Sequence, residues 1–106
     1  MIPTWGTGIK FSDWRHAAEI IGNRIQDIAP HMLIIVGGID YQKDLTGALK
    51  HPVNLKIPNK LVYSGHLYRF SWPFSDPNKI SYEDFFKKFF ETQLFVRSLG
   101  VPYLLG

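Results

Sequence analysis

The stretch Met32-Leu33-Ile34-Ile35-Val36-Gly37-Gly38 decides the fold class of this chain. It is a continuous apolar run, rich in β-branched residues, that follows Pro30 closely and ends at two glycines. A run of this kind is typical of a strand buried on both faces, as in a parallel sheet. We therefore expect an α/β protein with its first strand at residues 32–36.

The residues before this strand predict a helix. Ser12 and Asp13 can both accept hydrogen bonds from the free N–H groups of a first helical turn, and Pro30 ends the pattern. Apolar residues then recur at steps of three and four, which places them on one helix face. These residues are Trp14, Ala17, Ala18, Ile21, Ile25 and Ile28.

The residues after it predict two more strands and a second long helix. Residues 60–64 and 101–105 are short apolar runs, and residues 40–45 favour at most a short helical turn. Ser81 followed by Asp84 has the spacing of a capping box and opens a helix rich in phenylalanine, which Gly100 ends. Helices that alternate with buried strands imply parallel pairing through right-handed crossovers.

The composition is that of a globular protein, and residues 1–106, which no linker-like stretch divides, are expected to be an incomplete α/β domain. The chain is 45% hydrophobic and 20% charged, and its net charge of +3 is scattered along the sequence. A nucleic-acid surface shows a clustered basic face, so we expect no nucleic-acid partner. No apolar run is long enough to cross a membrane, and the first residues lack a signal-peptide pattern. The absence of cysteine excludes disulfides, thiolate zinc sites and a cysteine nucleophile.

Candidate functional residues follow the predicted strands, because parallel α/β folds carry their sites past the carboxyl ends of strands. His66 and Tyr68 come after the second strand and project to the same side. They form either an active-site pair or a polar pair that caps the strand. Tyr41 and Trp72 lie in loops, where an aromatic ring stacks on a sugar or base, or packs on its own loop.

The acidic residues and the other histidines give no catalytic or metal-binding pattern. The three glutamates fall on predicted helices, and Asp40 and Asp44 follow the first strand as loop acids without an evident partner. A two-carboxylate mechanism needs two acids that face one cleft. The remaining histidines are isolated, so we expect no metal site and no cofactor. The residues concerned are Glu19, Glu83, Glu91, His16, His31 and His51.

A set of segments in a characteristic order and spacing extends over nearly the whole chain. They are Asp13-Trp14, Ala17-Ala18, Gly22-Asn23, Leu33-Ile34-Ile35-Val36, Leu45-Thr46-Gly47-Ala48, Pro52-Val53, Asn59-Lys60-Leu61-Val62-Tyr63-Ser64-Gly65-His66-Leu67-Tyr68 and Phe74-Ser75-Asp76-Pro77. In their order and spacing together, these segments resemble glycoside hydrolase family 5, and most of all its endoglucanase (cellulase) branch.

The resemblance implies a partial (β/α)₈ barrel, about three parallel strands with two main helices, running from strand five to strand seven. Its implied activity is retaining hydrolysis of β-linked glucans by a secreted parent protein. It places the acid/base glutamate before Met1 and the nucleophilic glutamate after Gly106, so we expect this chain alone to be inactive. His66 and Tyr68 match the family's His-x-Tyr, in which the tyrosine hydroxyl bonds the nucleophile. Gly37 and Leu67 depart from the Val-Glu-Gly and His-Asp-Tyr of many relatives.

Two other hypotheses belong to different functional classes. In the first, the chain is a non-catalytic remnant that binds an oligosaccharide or polysaccharide through Tyr41, His66, Tyr68 and Trp72. In the second, it is a half-barrel that self-associates, because open strand edges and an uncovered sheet face favour association.

Overall fold

The described part of the chain is a parallel three-stranded sheet with a long helix on one face, as a computed structural model shows. The residues described are 2–66, 83, 84, 87, 91 and 98–106. The strands are β1 (Ile34–Gly37), β2 (Leu61–Gly65) and β3 (Tyr103–Leu105), in the spatial order β1-β2-β3. Tyr63 of the central strand lies beside Val36 on one side and Tyr103 on the other. The α/β prediction with parallel pairing is confirmed.

The first helix, α1 (Trp14–Ile28), lies where the sequence pattern predicts it. Asp13 is its N-cap residue, and its carboxylate accepts a hydrogen bond from the His16 backbone N–H at 3.4 Å. The other end closes when the Ala29 N–H donates to the Ile25 carbonyl at 2.8 Å, one residue before Pro30. Both ends of α1 are therefore set by residues next to it in sequence.

The buried face of α1 differs from the predicted apolar face that contains Ile21, Ile25 and Ile28. Its buried residues are Ala18, Gly22 and Gln26, spaced four apart, whereas Ile21 and Ile28 are exposed. A Cβ atom added to Gly22 would lie 3.2 Å from Cγ2 of Ile34. The helix backbone thus approaches β1 too closely for a larger side chain. The closest approach occurs where the side chains are smallest, and the isoleucines flank it.

The sheet has one covered face and one open face in the described part of the chain. The core lies on the side of α1 and consists of Trp5, Ala18, Ile34, Val36, Leu45, Ala48, Val53 and Tyr63. On the opposite side, which we call the inner face, Ile35 is 56% exposed and Leu104 is 52% exposed. The prediction that the first strand is buried on both faces is therefore wrong. Helix α1 and the loops packed with it cover only one side.

Tyr63 is the largest fully buried side chain among the described residues. Its hydroxyl accepts a hydrogen bond from the Val53 backbone N–H at 3.0 Å, which ties the loop before β2 to the centre of the sheet. Burial raises the pKa of the Tyr63 hydroxyl above its ordinary value of 10.0, against a smaller lowering by this hydrogen bond. The neutral tyrosine is thus the form that the folded chain favours.

The connection from β1 to β2 contains two short elements, whereas the sequence predicts at most one short helical turn, at residues 40–45. These elements are a short segment at Ile39–Gln42, in which Asp40 and Tyr41 have left-handed backbone angles, and a 3₁₀ helix at Thr46–Leu49. The helix predicted from Ser81 lies mostly outside the described residues, although the residues described at 83, 84, 87 and 91 are helical and exposed. Among the described residues, no helix has the length and apolar character needed to span a bilayer.

Asp13 also organises the loop that precedes α1. Its two carboxylate oxygens accept backbone hydrogen bonds from Gly6 at 2.8 Å and from Gly8 at 2.9 Å. Burial acts to raise the pKa of this carboxyl group. Backbone N–H groups, those of Gly8 and Gly6 foremost, outweigh burial and hold the pKa below its ordinary value of 3.8. The ionised carboxylate is therefore the form that stabilises the loop.

Replacing Asp13 should make the chain less stable in a pH-dependent way. A carboxyl group whose pKa is lowered by folding contributes stability above its unfolded-state pKa and loses it as the pH falls through the folded pKa. We expect Asp13→Asn to lower the free energy of unfolding by about 1–2 kcal/mol at about pH 7, and by much less at about pH 2. Urea unfolding at both pH values measures this, with exposed Asp27→Asn on the same helix as control. An equal loss at both pH values would contradict the prediction.

Candidate functional site

The carboxyl ends of the three strands meet at one edge of the sheet, which we call the strand-end edge. Strand β1 ends at Gly37, β2 leads into His66, and β3 leads into Gly106. The Gly106 N–H donates to the Gly65 carbonyl at 2.9 Å, which extends the β2–β3 pairing to this edge. It is the edge at which parallel α/β proteins carry their sites.

His66 lies at the centre of this edge, as the sequence predicts. It follows β2 directly, and side-chain alternation along the strand puts Ser64 and His66 on the inner face with Ile35. A Cβ atom added to Gly106 would lie 3.0 Å from Cδ2 and 3.1 Å from Nε2 of His66. The imidazole therefore lies over the end of β3, in space that a side chain at position 106 would occupy.

The Ile39–Gln42 segment that follows β1 is a left-handed turn. The φ angles of Asp40, Tyr41 and Gln42 are 51°, 55° and 66°. This conformation costs a non-glycine residue about 1–2 kcal/mol. Two backbone hydrogen bonds between Ile39 and Asp44, of 2.9 and 3.1 Å, close the turn. Strained backbone that its surroundings stabilise in this way is concentrated at functional sites.

The turn displays Tyr41 to solvent. The side chain is 88% exposed, so Tyr41 does not pack on its own loop, which was one of the two alternatives for it. The ammonium group of Lys43 lies 6.0 Å from the ring centroid and 3.3 Å from the Asp40 carboxylate. An exposed tyrosine ring at the strand-end edge is suited to stacking on a flat apolar surface such as a sugar face.

Gln42 is the residue at this edge that sequence reasoning missed. A Cβ atom added to Gly37 would lie 2.8 Å from both Cδ and Oε1 of Gln42, so the carboxamide lies against the end of β1. Nothing in the sequence signals a glutamine in a left-handed conformation. Tyr68 and Trp72 fall outside the described residues, and their roles stay predictions.

The described acidic residues near this edge are engaged locally. The Asp44 carboxylate accepts from the Thr46 backbone N–H at 2.9 Å, and that of Asp40 pairs with Lys43. On α1, Glu19 pairs with Arg15 at 3.0 Å. In the described ranges no group of three His, Asp or Glu side chains could bind a metal ion. The chemistry that the described edge offers is hydrogen bonding and stacking.

A family model and several solved structures match almost the whole length of this chain. The family model for cellulase (glycosyl hydrolase family 5) matches residues 3–106. The chain belongs to glycosyl hydrolase family 5. An endoglucanase from Paenibacillus polymyxa is 41% identical to this family 5 chain over an alignment of 76 positions, and the match covers 61% of the chain and 19% of that protein.

Solved structures of family relatives confirm the partial barrel. An endocellulase from Pyrococcus horikoshii, solved as a glutamate-to-alanine variant in complex with cellotetraose, has a TM-score of 0.78 and 31% identity. A tyrosine-to-phenylalanine variant of that endocellulase, also with cellotetraose, has a TM-score of 0.75 and 30% identity. Each match covers 98% of this chain and 33% of the endocellulase. The family 5 chain thus spans a third of the length of these relatives.

Proposed function

We propose that the catalytic domain containing this family 5 chain hydrolyses β-linked glucans, and that the strand-end edge binds part of the glucan. The observation that carries the proposal is the place of His66, directly after β2 with its ring on the inner face of the sheet. In (β/α)₈ barrels the carboxyl ends of the strands surround the active site. The Pyrococcus horikoshii endocellulase was solved with cellotetraose, a β-linked oligosaccharide.

Each predicted site residue has a role in this proposal. His66 orients the catalytic subsite, and the Tyr68 hydroxyl bonds the nucleophilic carboxylate and favours its ionised form. Tyr41 and Trp72 offer ring faces to sugar units. Retaining hydrolysis also needs two carboxylic acids about 5 Å apart. Glu19 is paired with Arg15, and Glu83 and Glu91 are exposed helical residues, so none of the three suits that task.

The 106-residue chain should therefore bind a β-glucan without cleaving it. Titration with cellotetraose, followed by calorimetry, should give saturable binding that α-linked maltotetraose does not reproduce. His66→Ala should weaken this binding about fivefold or more, because a hydrogen-bonding group is lost. His31→Ala, at an exposed position after α1, serves as the control. Cleavage of carboxymethylcellulose by the purified chain, abolished by mutating one of its residues, would contradict the proposal.

Self-association is a second candidate, which the open inner face favours. Leu33, like Ile35 and Leu104, is exposed, and β1 and β3 are the edge strands of the described sheet. Apolar surface next to free strand edges promotes pairing between chains. Size-exclusion chromatography should then show a dimer or larger species. A sharp monomer peak with a cooperative thermal transition would argue against this candidate.

A further inference from the structure

The Gln42 carboxamide occupies the space left by the absent side chain of Gly37. Besides Cδ and Oε1, the Gln42 Cγ would lie only 2.9 Å from a Cβ atom at Gly37. Side chains alternate along β1, so position 37 projects to the same side as exposed Ile35, the inner face. In the register, Gly37 lies beside Ser64 of β2. The carboxamide is thus on the side of the sheet to which His66 projects.

The backbone of Gln42 fixes this placement relative to His66. The Gln42 carbonyl accepts the His66 backbone N–H at 2.9 Å. Neighbouring parallel strands lie about 4.8 Å apart, so the two residues present their side chains from adjacent strand ends. The position of Gln42 is therefore coupled to that of a predicted site residue through one short backbone contact.

A glutamine is an uncommon choice at this backbone conformation. Left-handed φ values are adopted readily by glycine and by asparagine or aspartate, and far less by longer side chains. If the turn only connected β1 to the following 3₁₀ helix, glycine at position 42 would be more stable than glutamine, because glycine adopts a positive φ without steric cost. The carboxamide, by contrast, provides two donors and an acceptor. Adjacent sugar hydroxyl groups, each both donor and acceptor, complement that set.

We propose that Gln42 is a sugar-binding residue of this site, delivered to the inner face by the left-handed turn and specific for vicinal hydroxyl groups of a β-glucan. The inference rests on the proposed function and adds a residue to it. Because the carboxamide is neutral, Gln42 binds hydroxyl groups without adding charge to the site. The role of Gln42 is to bind substrate, whereas the proposed role of His66 is to orient the catalytic subsite.

The variant Gln42→Gly removes the carboxamide and keeps the left-handed turn, so it tests the two contributions separately. Glycine keeps or relaxes the left-handed backbone, so the thermal midpoint of the full chain should stay unchanged or rise. The dissociation constant for cellotetraose should rise about five- to tenfold, because the hydrogen bonds of the carboxamide are lost. Asp40→Gly is the matched control: it relaxes the same turn, leaves the carboxamide in place, and should bind cellotetraose as the unsubstituted chain does.

The outcomes distinguish this inference from the proposed function. If the unsubstituted chain binds cellotetraose and Gln42→Gly binds it equally well, the inference is overturned and the proposed function stands. If Asp40→Gly weakens binding as much as Gln42→Gly, the turn and not the carboxamide is responsible, and the inference is again overturned. If the unsubstituted chain does not bind cellotetraose at all, the proposed function fails and the role of Gln42 fails with it.

Discussion

Gly38→Ala is expected to lower the free energy of unfolding by about 3 kcal/mol. A Cβ atom at position 38 would overlap the carbonyl oxygen of Asp44, a backbone atom that cannot move aside like the end of a side chain. That same carbonyl accepts the Ile39 N–H and closes the left-handed turn. The added methyl group therefore either opens the turn or displaces the strand end. Urea unfolding of the two proteins measures the loss.

Gly100→Ala is the control for this prediction. Its φ of +65° is also unfavourable for alanine, but a Cβ atom there meets none of the described residues within 4 Å. Gly100→Ala should lower the free energy of unfolding only by the cost of a left-handed alanine, about 1 kcal/mol. Equal losses for the two variants would show that the contact at Gly38 does not matter. Because the Gln42 carbonyl bonds His66, Gly38→Ala should also shift the amide resonance of His66.

Tyr63→Ala is the second substitution with a large expected effect, about 3–5 kcal/mol. It removes the largest fully buried side chain of the described residues and leaves a cavity in the core, to which Ala18 of α1 also belongs. Tyr63→Phe keeps the ring and removes only the acceptor for the Val53 N–H, so it should cost about 1–2 kcal/mol. Thermal and urea unfolding of both variants test the ranking. A loss for Tyr63→Phe as large as that for Tyr63→Ala would contradict it.

The pH dependence of Tyr63→Phe gives a separate readout of the buried hydroxyl. Because burial raises the pKa of Tyr63, the stability it contributes is fully present below the unfolded-state pKa near 10.0 and is lost as the pH rises through the folded pKa. Burial raises the pKa of Tyr103 as well, so the phenylalanine variant should keep part of this alkaline sensitivity. The free energy of unfolding of the unsubstituted chain should therefore approach that of Tyr63→Phe above about pH 10.

The sequence predicts the elements of this fold well because their signals are local. The N-cap at Asp13, the stop at Pro30 and the apolar runs of the three strands depend on residues adjacent in the chain. The buried stripe of α1 could not be predicted in this way. Its packing depends on how closely the helix approaches Ile34, and small residues such as Gly22 decide that distance.

The residues of the candidate site also differ in whether local sequence signals predict them. The place of His66 follows from a general property of parallel sheets, since it comes directly after a predicted strand. Gln42 reaches the edge only through three successive left-handed residues, a conformation that no propensity favours for glutamine. The glycine at position 37 marks a strand end in the sequence but does not reveal which side chain fills the space beside it. Tyr68 and Trp72 remain predictions from the family resemblance.

Trp14 gives the chain an optical reporter of its own. The indole N–H of this first residue of α1 donates to the carbonyl of Gly37 at 2.9 Å, so the ring is attached to the peptide group at which the left-handed turn departs from β1. Trp5, in contrast, is buried, and its indole N–H donates to the His51 carbonyl at 2.7 Å. A change at the turn should therefore alter the emission of Trp14, whose indole N–H donates to Gly37. Movements at the strand ends become visible in solution without any added label.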